Sequence, residues 1–181
     1  MEELEDYCND KERRFTVGHL EIRDLSGSDI AIIGLYTLTV SLQLILYFLS
    51  IHKFSNGLLF LIAGIVCMFT VTTPFGIRFR SVYFSLIWFV ASALLVLNRV
   101  TISHVPLYCF LLYHGIRLVF WYKYNMEFIP YQITRGKMWR YVSKIEGRGG
   151  RKEGKFFMLI LAFLGFCVFM YGLFGVIGMR L

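Results

Sequence analysis

Between Asp29 and Glu127 the chain has no carboxylate. All twelve Asp and Glu residues lie outside the long apolar runs, nine of them in the first 29 residues. Proton-coupled transporters and intramembrane aspartyl or metal proteases need acidic groups at depth, so the gap argues against those classes. Cysteine is sparse too. Cys8, Cys67, Cys109 and Cys167 form no C-x-x-C pair, and three of them sit inside apolar runs. They read as small buried residues rather than a zinc site or a disulfide framework. There is no G-x-S-x-G to present a serine nucleophile. The first 29 residues carry nine acidic against four basic residues and no early apolar core, unlike the basic start and apolar core of a cleavable signal, so the first span is expected to act as an uncleaved anchor. These gaps leave no expected catalytic residue, metal or cofactor.

Apolar sequence is what the chain has in excess. Of its 181 residues, 57% are hydrophobic, and mean hydropathy is +0.61. Soluble domains use about 45–50% apolar residues. Five runs stand out: Ile30–Ile51, Gly57–Phe75, Val82–Leu97, Val105–Tyr122 and Phe156–Met179. A bilayer core about 30 Å thick needs about 20 helical residues. The expected fold is therefore all-α, an integral membrane bundle of five transmembrane helices. The alternative is four helices plus one re-entrant or peripheral segment, because the third run is short.

Charge orients the bundle. Lys and Arg concentrate in cytoplasmic loops. The segment before the first run has four cations, the loop after the second has Arg78 and Arg80, and the loop after the fourth has nine, fifteen in all. The opposite side receives only Lys53, Arg99 and Arg180. This bias predicts a cytoplasmic N-terminus and an extracytoplasmic C-terminus, in a plasma or inner membrane. Trp121, Tyr122 and Tyr124, with Tyr83 and Trp88, are expected at the cytoplasmic headgroup level, where aromatic belts form.

Three spans carry distinctive residues. In the first, Thr37 and Ser41 share one face and Thr39 and Gln43 another, each pair four apart. Such a polar stripe either lines a pore or bonds between helices. In the fourth, His114 and Arg117 share a face. Arg117 is one turn from Trp121, so its side chain is expected to snorkel to the interface. His114 is expected to bond to a Tyr or Ser of a neighbouring span. The fifth span presents Ala162, Gly165, Gly172 and Gly175. Small residues let helix backbones approach closely in lipid, so this face predicts helix packing, within the chain or between copies.

The organisation that follows is an acidic cytoplasmic segment (1–28), a four-helix region (29–122), a basic loop (123–155) and a glycine-faced helix (156–181). Phe15–Ile22 has short β character. In the loop, Met138, Tyr141, Val142 and Ile145 recur at helical spacing, with Lys137, Arg140 and Lys144 opposite and Trp139 at the boundary. A basic amphipathic helix of this kind lies in the headgroup layer. Next to it, Gly149-x-x-x-x-Gly154-Lys155 is one residue short of a phosphate-binding loop. Phe156 replaces the Ser or Thr that would hold Mg²⁺, and no strand precedes it. The stretch is better read as a hinge whose Arg148, Arg151, Lys152 and Lys155 meet lipid phosphate.

The expected partners are anionic membrane lipids, further copies or a membrane complex, and a cytoplasmic protein; nucleic acid is not expected. The leading functional expectation is a non-enzymatic anchor, sensor or regulatory subunit working through the basic loop. A homo-oligomeric pore lined by Thr37, Thr39, Ser41, Gln43, His114 and Arg117 is the first alternative. A lipid-headgroup enzyme using His114 and Arg117 is the second.

Overall fold

The computed structural model describes residues 15–17, 20–22, 25–72, 74–126, 128 and 152–178. Its body is helical. Among the described residues the long helices are α1 (Gly27–Phe48), α2 (His52–Thr72), α3 (Val82–Leu95), α4 (Val105–Tyr124) and α5 (Lys152–Gly178). Tighter 3-10 turns cover Pro74–Arg80, Val96–Asn98 and Thr101–His104. Strands β1 (Phe15–Val17) and β2 (Leu20–Ile22) pair antiparallel, Phe15 opposite Ile22, where the sequence has its short β character. β2 lies beside α3 and the Pro74–Arg80 turn.

Four helical stretches are long and apolar enough to cross a membrane: Gly27–Phe48, Phe54–Val71, Thr101–Tyr124 and Gly154–Gly175. α3 is shorter, with 14 residues extended by a three-residue 3-10 turn. The outer faces are as apolar as the inner ones. Leu35, Leu38, Phe163 and Phe166 are each at least 60% exposed. A water-soluble protein does not present such continuous apolar surface, whereas a bilayer does not penalise it.

Local chemistry fixes the helix ends. Ser26 caps α1 in a reciprocal capping box with Asp29, which satisfies otherwise unpaired amides of the first turn. Ser81 caps α3 through the amide of Phe84. Ser50 and Asn125 take left-handed backbone (φ 59° and 50°) just past α1 and α4 and end both helices. The last apolar helix begins earlier than expected. Lys152–Lys155, read as part of a hinge, already belong to α5. The expected amphipathic helix around Lys137, Trp139, Arg140 and Lys144, together with Arg148 and Arg151, lies outside the described residues.

Contacts give the helix directions. Phe157 meets Phe120 and Tyr124, while Gly172 meets Val105, so α4 and α5 are antiparallel. Phe60 and Gly64 lie by Phe169, and Cys67 by Gly165, so α2 also opposes α5. α2 and α4 therefore run the same way, and the chain between them returns to the opposite end of the bundle through α3. Tyr36 of α1 stacks on Trp88 of α3 at 3.9 Å and bonds to Ser92 at 2.9 Å. This corrects the expectation for Trp88. It is a buried interhelical ring, not an interfacial anchor, because the Tyr36 ring covers it.

Candidate functional site

The least expected feature is the segment between α2 and α3. Pro74–Arg80 does not hang off the helix ends but folds back against the middle of α4. Gly76 makes this possible, since any Cβ there would overlap the ring of Tyr113. Phe79 then enters the core fully buried, ringed by Phe75, Phe84, Trp88, Phe110, Tyr113 and His114 at 5.2–5.8 Å between centroids. Such edge-on and tilted ring contacts add to the apolar burial.

Bringing the end of a short 3-10 segment inside an apolar bundle leaves its last carbonyls in a medium without water, where each needs a partner. Arg117 and Ser85 supply this for Phe79. Arg117 Nη1 donates to Phe79 O at 3.2 Å and Ser85 Oγ donates to the same oxygen at 2.7 Å. At the segment's other flank, Arg78 pairs with Asp29 and donates to Ser28 Oγ at 3.2 Å. The segment is thereby tied to α1, α3 and α4 together.

Arg117 consequently does not snorkel. It is fully buried and turned inward, where it reaches the backbone carbonyl of Phe79. His114 sits over Phe110, 4.4 Å between ring centroids, and beside Phe79 and Tyr113.

The polar residues of α1 do not form one surface. Thr37, Thr39 and Ser41 donate to the carbonyls of Ile33, Leu35 and Thr37, four residues back on their own helix. Gln43 is fully buried, and its Nε2 donates to Ser55 Oγ of α2 at 2.7 Å while its Oε1 has no partner among the described residues. It is not brought to His114 or Arg117, which face the Pro74–Arg80 segment from α4. Interhelical bonds in lipid contribute about 0.6 kcal/mol on average, and an unpaired buried oxygen offsets part of that. Gln43→Leu is therefore expected to change stability by less than about 1 kcal/mol, measured as the unfolding midpoint in mild detergent.

The small face of α5 is occupied within the chain. A Cβ on Gly165 would stand 2.5 Å from Val71 of α2, and one on Gly172 would stand 2.5 Å from Val105 of α4. Gly175 packs on Thr101, and Ala162 borders the core. At the start of α5, Lys155 is exposed and Phe157 packs with Phe120 and Tyr124; Phe128 joins Phe120. The basic loop thus leaves and re-enters through an aromatic clamp, at the end of the bundle that also carries Arg78, Arg80 and Lys123.

Sequence reasoning missed three things here: the inward Pro74–Arg80 segment, the Asp29–Arg78 pair, and the meeting of Cys67 with Cys109 described below. Among the described residues, no three His, Cys, Asp or Glu gather as a metal site. No protein-family model, curated protein or solved structure matches the chain.

Proposed function

We propose that the protein is a multi-pass membrane scaffold that works by association rather than catalysis, with the basic loop of residues 123–155 as its working part. The observation that carries this reading is the clamp. Phe120, Tyr124, Phe128 and Phe157 hold the two ends of the loop together, with Lys123 and Lys155 in the flanking chain. The polar and small residues inside the bundle serve its own packing. That leaves the loop face for partners.

In this reading the chain crosses five times. α3 and its 3-10 extension reach about 27 Å at ~1.5 and ~2.0 Å per residue, close to the ~30 Å hydrocarbon core, and the parallel run of α2 and α4 requires a return crossing. The charge bias then puts the clamp and loop on the cytoplasmic side. Each loop cation gains on the order of 1 kcal/mol near an anionic leaflet, so the loop lies on anionic lipid and presents its remaining surface to a protein partner.

The test uses the full-length protein, extracted in mild detergent from mixed membranes. Co-purified lipid should be enriched in phosphatidylglycerol or phosphatidylserine. A variant with Lys137, Arg140, Lys144, Arg148, Arg151 and Lys152 all changed to Gln should lose that enrichment, and its pull-down should lose partners that the wild type retains. A monodisperse wild-type monomer with neither enriched lipid nor partner overturns the proposal.

A further inference from the structure

α2 and α4 bring two thiols together in the bundle interior. Cys67 and Cys109 are both buried and both free, on neighbouring helices and within interaction range of each other. The Cys67 thiol also donates to Gly165 O at 3.5 Å, so the pair sits where α2, α4 and α5 meet. Thr70 is beside Cys109, with its hydroxyl anchored to Val66 O at 2.7 Å. Cys167, by contrast, is exposed on the outer face of α5 with no such neighbour described.

Two thiols so placed offer two chemistries. They can bind a soft monovalent metal as a pair of thiolates, or they can join as a disulfide. A two-thiolate complex of a monovalent ion carries net negative charge, which is costly in an apolar interior. A disulfide is neutral and apolar. It therefore suits this site better.

We infer that Cys67 and Cys109 form a reversible modification site, closing to a disulfide that staples α2 to α4 when a lipid-soluble organic disulfide reaches the bundle. In the first exchange one protein thiol bonds to a sulfur of the reagent. The reagent's S–S bond breaks, and its other half leaves with the proton as a thiol. In the second exchange the remaining cysteine attacks the protein sulfur of the mixed disulfide. The second half of the reagent leaves as a thiol in the same way. The two cysteines are oxidised by two electrons, and one reagent molecule is reduced to two thiols. Because Pro74–Arg80 follows α2 directly and rests on α4, the staple would fix the position of that segment.

The test uses the full chain in detergent micelles with Cys8→Ser and Cys167→Ser, treated with 4,4′-dithiodipyridine. The expected result is two thiopyridones released per chain and an intact mass lower by two hydrogens. A cross-linked peptide pair containing both cysteines should appear and be abolished by dithiothreitol. The oxidised protein should melt about 5 °C higher or more, as loop closure restricts the unfolded chain. Adding Cys109→Ser should leave a single stable pyridyl adduct on Cys67, which shows that the fold admits the reagent. Two stable adducts per chain would overturn the inference. So would cross-links between chains, or thiols that react only after denaturation.

Discussion

Replacing Arg117 with alanine should destabilise the protein by about 3–5 kcal/mol, the range for truncating a large buried side chain or one partner of a buried polar pair. The side chain is fully buried, so its stem contributes packing as well as charge. The hydrogen bond to Phe79 O is shared with Ser85 Oγ, so loss of the guanidinium leaves that oxygen one donor. The lost volume adds to the lost polar contact. Arg117→Met, which keeps the bulk without the charge, is expected to cost about 1–3 kcal/mol, clearly less than alanine. Arg117→Lys restores charge without the planar fork and should fall between them. The readout is reversible unfolding in mixed micelles, with proteolysis after Arg78 or Arg80 as a local probe. Faster cleavage there than at other basic sites would show that Pro74–Arg80 has come away from α4. Equal losses for alanine and methionine would mean that charge, not bulk, holds the segment.

That segment also marks where reading the sequence stops working. Periodicity and length are local properties, and they located all five apolar helices, with ends displaced by a few residues. The start of α1 was legible because Ser26 and Asp29 form their capping box within one turn. The glycine face of α5 was legible as a packing surface. Its partners, Val71 and Val105, were not, since nothing local distinguishes a helix of the same chain from one of a second copy. Pro74–Arg80 reads as an ordinary cationic loop. Its inward course depends on an arginine 38 residues away donating to the carbonyl of Phe79, on Gly76 fitting Tyr113, and on a cage of rings from α3 and α4. Arg117 reads as a snorkelling side chain for the same reason: spacing to Trp121 is visible in sequence, and a distant backbone acceptor is not. Trp88 reads as interfacial from sequence, whereas Tyr36, 52 positions earlier, stacks on it and buries it.

The second large effect is expected on α5. Gly165→Val and Gly172→Val should each cost more than about 3 kcal/mol, at or beyond the top of the range for overpacked cores. The reason is geometric. A Cβ at Gly165 meets Val71 Cγ2 at 2.5 Å and Cγ1 at 2.7 Å, and a Cβ at Gly172 meets Val105 Cγ2 at 2.5 Å with Ile102 Cα at 3.4 Å behind it. Val71 is 2% exposed and Val105 0%, so neither side chain has room to retreat. Relief requires α5 to move away from α2 and α4, which would also part Cys67 from Gly165 O. The same chain supplies the control. Gly34 and Gly115 have nothing within 4 Å of a built Cβ. At those helix positions alanine should be neutral or stabilising by up to about 1 kcal/mol, since it has the higher helix propensity. Thermal unfolding of the four variants in one detergent separates the two groups. If the α5 variants match the controls, the face is open in the membrane and available to another copy. A loss confined to Gly165 and Gly172, with the monomer mass unchanged in detergent, would mean the small residues work inside one chain.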